Sequence, residues 1–422
     1  MIRLSGANAF EIINRHVNDT NEKLSFGRFR IGEDVLDEVI VCRFASPKSY
    51  TGEDVCEISF HGSSYILNRA MESLIESGAR LAEPGEFTQR AFLNGKMDLS
   101  QAEAVADLIA SESAAEHKLA MHQMRGGFSK EIKTLREELI HFASLIELEL
   151  DFGEEDVEFA QRSDLKALIE KIQSYVQNLI ESFRFGNAIK QGVPVAIIGK
   201  PNAGKSTLLN ALLNDDKAIV SDIAGTTRDS IEDITTINGI KFRFIDTAGI
   251  RETSDEIEAM GVERSYAKMK QAAIVIYLFD SRDEQSEHLK IIEDLKGQIS
   301  AETALITVAN KSDISVSSIK ADLKIAAKSG HGLNELRQLL SNQLKLTHTQ
   351  SDTVVTNTRH LQALKATHAA LRKAFEGIET GLSGDLLASD IRESLHHLGS
   401  ITGEITTEDL LGNIFGKFCI GK

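Results

Sequence analysis

Gly199-Lys200-Pro201-Asn202-Ala203-Gly204-Lys205-Ser206 follows a short apolar run at 193–198 and precedes another at 208–213. The spacing is G-x-x-x-x-G-K-S. Its glycines let backbone N–H groups wrap a chain of phosphates, Lys205 adds a point charge on the outer phosphates, and Ser206 offers a hydroxyl to Mg2+. A strand, a glycine loop and a helix in this order form the context that such a loop needs. The segment therefore predicts a nucleotide-binding α/β unit.

Three further elements follow in order. Gly225-Thr226-Thr227-Arg228-Asp229 lies where a switch threonine would meet Mg2+ and the γ-phosphate. Asp246-Thr247-Ala248-Gly249 ends the apolar run 242–245, so Asp246 can hold the metal through water and Gly249 can offer its N–H to the γ-phosphate. Asn310-Lys311-Ser312-Asp313 ends the run 305–308, and a carboxylate at Asp313 accepts from the N1–H and amino group of guanine, which adenine cannot match. Each alone could be an ordinary turn; four in sequence predict a GTP site. Ala326-Ala327-Lys328 stands in the place of the usual S-A-K, where backbone makes most of the base contact. The glutamine that positions the attacking water in Ras-like proteins is here Ile250, so another group must do that work. Glu252, Asp255, Glu256, Glu258 and Glu263 follow, and by themselves read as a solvated loop.

Further out, the texture changes on both sides. Apolar runs at 242–245, 274–279 and 305–308 alternate with helical segments, the mark of a parallel sheet. Before them, Ile132, Leu135, Leu139, Phe142 and Ile146, then Leu165, Ile169, Ile172, Val176 and Leu179, recur at helical spacing. After them, Leu361, Leu364, Leu371 and Phe375, then Leu387, Ile391, Leu395 and Leu398, do the same. Ser100 and Glu103 have the spacing of a capping box at the start of the helical stretch. Residues 1–96 read as mixed α/β, with strands near 39–41 and 55–60 and a helix over 66–75 closed by Gly78. The expected class is α/β plus α: an N-terminal α/β domain (1–96), and a helical domain (97–189 and 346–422) split by an inserted P-loop domain (190–345). The 422 residues, 42% hydrophobic and 26% charged, suit a soluble globular protein with a sizeable core. A net charge of −16 argues against an overall basic face for nucleic acid, though not against a local patch. Cys42, Cys56 and Cys419 form neither a disulfide framework nor a metal set, no apolar run suits a membrane span or signal peptide, and the cytoplasm is the default compartment.

The chain resembles the family of tRNA-modification GTPases named MnmE or TrmE along essentially its whole length. The resemblance is carried by T-G-E-D-V at 51–55, P-G-E-F-T-Q-R-A-F-L-N-G-K at 84–96, D-L-x-Q-A-E-A at 98–104 and G-K-P-N-A-G-K-S at 199–206. D-I-A-G-T-T-R-D at 222–229, D-T-A-G-I-R-E at 246–252 and the terminal F-C-I-G-K at 418–422 complete it. It implies that Glu258 orients the attacking water, with Arg251 and Cys419 as further catalytic candidates. It extends the GTP-binding set to Thr207, Ser221, Asp222, Ile223 and Ala224. Asn202, Ser221, Ile223 and Thr226 would hold K+, and Ser206 with Thr227 would hold Mg2+; read alone, Asn202 is a loop-stabilising amide. It further implies a homodimer that works with the FAD-bearing MnmG, forming a heterotetramer, on the wobble uridine of tRNA. A 5-formyl- or methylene-tetrahydrofolate in the N-terminal domain would supply the one-carbon unit, bound by Arg3, Glu57, Lys96 and Lys422. Read alone, those four are surface charges and Cys419 is a buried small hydrophobe. Family members carry about a strand and a glycine-rich turn ahead of I-R-L-S-G, whereas Met1 here directly precedes Ile2; a misassigned start or a truncation is the expectation.

Two other readings compete. A ribosome-assembly GTPase of the Era or EngA sort would append a basic RNA module with a G-x-x-G loop, yet 351–422 holds more acids than bases. A scaffold that binds GTP without turnover is compatible with Ile250, but not with Glu258 acting on water.

Overall fold

The computed structural model describes residues 1–18, 22–151, 162–213, 232–245, 269, 271–300, 303–314, 320–346, 353–419 and 421, apart from the side chains of 150, 151 and 344–346. The chain forms two compact units. One comprises Met1–Ala110, Ala120–Ile172 and Ala366–Lys422; the other comprises Ser111–Leu119 and Gln173–Lys365. Among the described residues no helix is long and apolar enough to cross a membrane.

The first unit opens with β1 (Ile2–Ser5), α1 (Ala9–Asn14), β2 (Leu24–Ile31), β3 (Asp34–Phe44), β4 (Val55–Ser59) and α2 (Ser64–Glu76). The strands make an antiparallel sheet in the order β1-β4-β3-β2. Ile13, Val39, Val41, Ile58 and Leu74 fill one face of it. β2 inverts the usual pattern. Ser25, Gly27 and Phe29 alternate on the buried side, while Leu24 and Phe26 are exposed. Ser25 is satisfied there because Arg43 Nη1 donates to its Oγ at 3.2 Å. Gly78, φ +106, lies just past α2.

Helices α3 (Glu86–Leu93) and α4 (Leu99–Ala110) follow. The capping box of α4 is Asp98 with Gln101, in place of Ser100 with Glu103. Asp98 Oδ1 accepts from the Gln101 backbone N–H (3.0 Å), and Gln101 Oε1 accepts from the Asp98 N–H (3.0 Å). Ser100 already lies inside the first turn, where its hydroxyl donates to Asp98 (2.7 Å). The apolar stripes form α6 (Gly127–Asp151), α7 (Arg162–Gln191), α11 (Thr358–Thr380) and α12 (Gly384–Thr402), after a short α5 (Ala114–Met124). Ile132, Leu139 and Ile146 of α6, and Leu387, Ile391 and Leu398 of α12, are buried. The last helix, α13 (Glu408–Phe415), packs Leu411 and Phe415 with Phe418 against Leu99 and Ala102 of α4.

In the second unit, β5 (Val193–Ile198), α8 (Lys205–Leu213), β6 (Asp233–Ile237), β7 (Ile240–Phe244), β8 (Ile274–Asp280), α9 (Gln285–Gln298), β9 (Ala304–Asn310), β10 (Leu323–Lys324) and α10 (Leu333–Leu346) alternate. The sheet order is β10-β9-β8-β5-β7-β6, parallel except for the β6–β7 pair. All seven residues of β8 are buried, as befits a central strand covered on both faces. β5 has β7 on one side and β8 on the other, so the chain reverses direction across the sheet there. Ligands of such sheets bind outside the carboxyl end of that strand.

Candidate functional site

The loop 199–204 leaves the end of β5, and α8 begins at Lys205, so the first backbone N–H groups of that helix point into the loop. Asn202 and Gly204 take left-handed φ values of +64° and +99°. A Cβ on Gly204 would run into Asn310 Nδ2, so glycine is required there on two counts. Lys205 Nζ donates to the carbonyls of Gly199 (2.7 Å) and Lys200 (2.9 Å), and burial lowers its pKa. Ser206 follows it in the first turn of α8, with the exposed Thr207 beside it.

The end of β9 meets this loop. Asn310, 3% exposed, donates from Nδ2 to the Ala203 carbonyl (2.9 Å) and accepts at Oδ1 from the Ala327 N–H (3.0 Å). One amide thus joins the phosphate loop, the segment 310–313 and the segment 326–328. Lys311, φ +61°, donates from Nζ to the Asn202 carbonyl (2.9 Å). Ser312 N–H bonds the Ile325 carbonyl (3.0 Å), and Asp313 is exposed beside it. Ala326 and Ala327 are buried, Lys328 is exposed, and a tight turn closes from Ala326 N–H to the His331 carbonyl (3.0 Å).

Asn202, Ala203, Gly204, Lys205, Ser206, Thr207, Asn310, Lys311, Asp313, Ala326, Ala327 and Lys328 thus gather around the ends of β5 and β9. Ser221, Asp222, Ile223, Ala224, Gly225, Thr226, Thr227, Asp246, Thr247, Ala248, Gly249, Arg251 and Glu258 lie outside the described residues, as does Lys422. Of the four residues expected at K+, Asn202 alone is described; of the Mg2+ pair, Ser206 alone.

The N-terminal set divides. Arg3 and Glu57 face each other across β1 and β4, joined by Arg3 Nε to Glu57 Oε1 at 2.8 Å. The Arg3 guanidinium lies 5.6 Å from the Tyr50 ring centre and 5.5 Å from that of Phe87. Arg3 lines a cavity of about 760 Å3, together with Arg80, Glu86, Arg90, apolar residues of α2 and α4, and Gly421. Glu57 and Lys96 do not line it, and Lys96 Nζ donates to the Pro47 carbonyl (2.9 Å). Cys419 is exposed, against the expectation of a buried small hydrophobe, and its carbonyl accepts from the Gly85 N–H (3.4 Å).

The sequence reading missed the ion-paired wall of this cavity. Glu86 accepts from Arg80 Nη1 (2.8 Å), Arg90 Nη2 (2.8 Å) and the Glu83 N–H (2.9 Å). Arg80 first, then the Glu83 N–H and Arg90, outweigh burial and lower its pKa to about 2. Arg90 also donates to Glu53 (2.9 Å), which accepts from Ser5 Oγ (2.8 Å). The available signal was the i,i+4 spacing of Glu86 and Arg90 behind Pro84-Gly85.

Comparison with known proteins bears on the whole chain. Residues 1–96 match the family model of the GTP-binding protein TrmE N-terminus, and 99–419 match that of the MnmE helical domain. A tRNA modification GTPase MnmE from Cytophaga hutchinsonii is 53% identical across all of this chain and 94% of its own. One from Bacteroides thetaiotaomicron is 52% identical across all of this chain and 96% of its own. The FeoB G-domain of Methanococcus jannaschii aligns over 36% of this chain and 98% of its own at 23% identity, with a TM-score of 0.25. Matched by both family models and by such relatives from end to end, this chain belongs to the tRNA modification GTPase MnmE family.

Proposed function

We propose that this GTP hydrolase runs a K+-dependent cycle that serves modification of the wobble uridine of tRNA. The observation that carries the nucleotide part is Asn310: its amide bonds Ala203 and Ala327 together, so the phosphate loop and the base-reading segment form one site. In this reading Lys205 and the N–H groups at the start of α8 neutralise the outer phosphates. Asp313 accepts from guanine, and 326–328 hold the base by backbone. Ser206 and Thr227 would hold Mg2+ and Asp246 would reach it through water, a hydroxyl and carboxylate set suited to that hard cation. Asn202, left-handed and exposed on the loop, would offer an amide oxygen to K+ together with Ser221, Ile223 and Thr226. A cation there supplies the charge that an arginine finger supplies elsewhere, a term of about 10^3–10^5 in rate. Glu258 orients the attacking water in place of a glutamine, and Arg251 is the rival source of positive charge.

The N-terminal cavity suits a tetrahydrofolate. Its apolar walls from α2 and α4 would take the ring system, and Arg3 with the Arg80–Glu86–Arg90 wall offers donors and acceptors for a pterin and a glutamyl group. Gly421 is on its lining, which supports a role for the 418–422 segment at that cavity. The one-carbon unit would serve a reaction shared with the FAD protein MnmG, this chain acting as a homodimer in the cytoplasm.

GTP and ATP turnover by the purified chain, compared in KCl and NaCl at matched ionic strength, tests the reading. GTP alone should be turned over, at least about tenfold faster in KCl given the size of the finger effect. Equal GTP turnover in the two salts would remove the K+ cycle and promote Arg251.

A further inference from the structure

Asp280, the last residue of β8, is 7% exposed, and its carboxylate is fully engaged. Oδ1 accepts from the Arg282 backbone N–H (3.0 Å) and from Arg282 Nε (3.0 Å). Oδ2 accepts from Arg282 Nη2 (2.7 Å) and lies 2.8 Å from Lys311 Nζ. The Arg282 guanidinium first, and the Lys311 ammonium after it, hold the carboxyl well below the usual range, so it is ionised at any working pH. Lys311 spends a second donor on the Asn202 carbonyl (2.9 Å). A lysine ammonium on a flexible four-carbon stem has three donors and no preferred direction of its own. Here two fixed acceptors, one on the end of β8 and one on the phosphate loop, choose the direction. Ser281 adds to the same junction: its N–H bonds the Asn310 carbonyl (2.9 Å), and its hydroxyl bonds the Lys311 carbonyl (3.1 Å).

We propose that Asp280 is a positioning residue of the guanine-nucleotide site: it holds the Lys311 ammonium against the Asn202 carbonyl, and so ties the base-reading segment 310–313 to the phosphate loop, with Arg282 fixing the carboxylate from the solvent side. This inference rests on the GTP reading above. Asp280 touches no nucleotide; it acts through Lys311. Without it Lys311 keeps one acceptor and can swing away from the loop. The segment that presents Asp313 then loses one of its two ties to the loop, the other being Asn310. Because the tie serves ground state and transition state alike, its loss should fall on nucleotide affinity rather than on turnover of bound GTP.

The test measures binding of a fluorescent GDP, and saturating GTP turnover, in the full chain carrying Asp280→Ala, Lys311→Ala or both. A hydrogen bond to a charged group corresponds to a loss of about 10- to 100-fold in affinity, which is the result expected for each single variant. Turnover at saturating GTP by Asp280→Ala should stay within about threefold of wild type. The double variant should bind about as weakly as the weaker single one, because both act through one contact. Discrimination between GTP and ITP, which a merely structural role would not move, should narrow in step. Should Asp280→Ala not fold, Arg282→Ala takes its place: its side chain is half-exposed, and its expected loss is smaller, about threefold or more. GDP binding within about twofold of wild type in whichever variant folds, or losses from Asp280→Ala and Lys311→Ala that simply multiply, would overturn the proposal. Failure of the wild-type chain to bind GDP would count against the GTP reading instead.

Discussion

Asn310 and Asp313 divide the work of one short segment by chemistry. An amide has a donor and an acceptor at one end, so Asn310 can bond a carbonyl in the phosphate loop and an N–H in 326–328 at once; a carboxylate could not donate to Ala203. Asp313 is exposed two residues beyond Lys311, and we propose that it meets the base. We expect Asp313→Asn to move preference from GTP toward xanthosine triphosphate, since the xanthine 2-oxo group accepts from the new amide where the guanine amino group cannot. Competition of the two nucleotides for the purified variant measures this, and an unchanged margin for GTP would take the base-reading role away from 310–313. The loop glycines and the segment 310–313 stand out in the sequence because phosphate and guanine, the ligands we propose for them, each demand particular side chains at fixed spacing. Asp280 does not: it closes an apolar run that reads as a buried strand, and its meaning lies in a partner some thirty positions away.

At the scale of elements, the segment 80–90 meets 415–419 beside the cavity of the first unit. Glu86 has a folded-state pKa of about 2, below its ordinary 4.5. Such a group contributes stability that is present above about pH 4.5 and lost as pH falls toward 2. Glu86→Gln should therefore cost about 1–3 kcal/mol near neutral pH. Its deficit against wild type, followed by denaturant unfolding, should shrink across that acid window; a deficit independent of pH would mean that the charge is not what matters. Gly85, φ +70°, meets the C-terminal segment: an added Cβ would lie 2.7 Å from the Phe415 carbonyl and 3.0 Å from Phe418 Cβ. Gly85→Ala should displace 415–419, expose the end to proteolysis and abolish tRNA modification, with GTP turnover within about twofold because the nucleotide site uses none of these residues. Normal modification by that variant would detach the tail from the cavity. The long apolar stripes and the parallel strands were legible from period and length. β2 was not, because its buried face carries Ser25 and Gly27 and its exposed face Leu24 and Phe26. The cap of α4 was misplaced by two residues because Ser100 resembles a cap in sequence while Asp98, with its carboxylate free to accept, takes the position.

Across the whole molecule, the chain is an α/β N-terminal domain followed by a helical domain into which a P-loop unit is inserted; the helical-domain match runs from 99 to 419 and encloses the entire six-stranded sheet. The change of texture near 190 and again near 345 pointed to an inserted unit, whereas the compact unit runs over Gln173–Lys365 with Ser111–Leu119. The separation of the two proposed sites, one for GTP on the sheet and one in the ion-walled cavity of the first unit, was legible only in part, since Arg3 gave no sign of the Arg80–Glu86–Arg90 wall that lines the same cavity. In the proposed function the two serve one product, a modified wobble uridine. Mass spectrometry of tRNA nucleosides from cells lacking this chain tests that most directly. The aminomethyl and carboxymethylaminomethyl wobble uridines should disappear there and return with the wild-type chain. A full complement of those nucleosides in the cells lacking it would separate this chain from wobble-uridine modification.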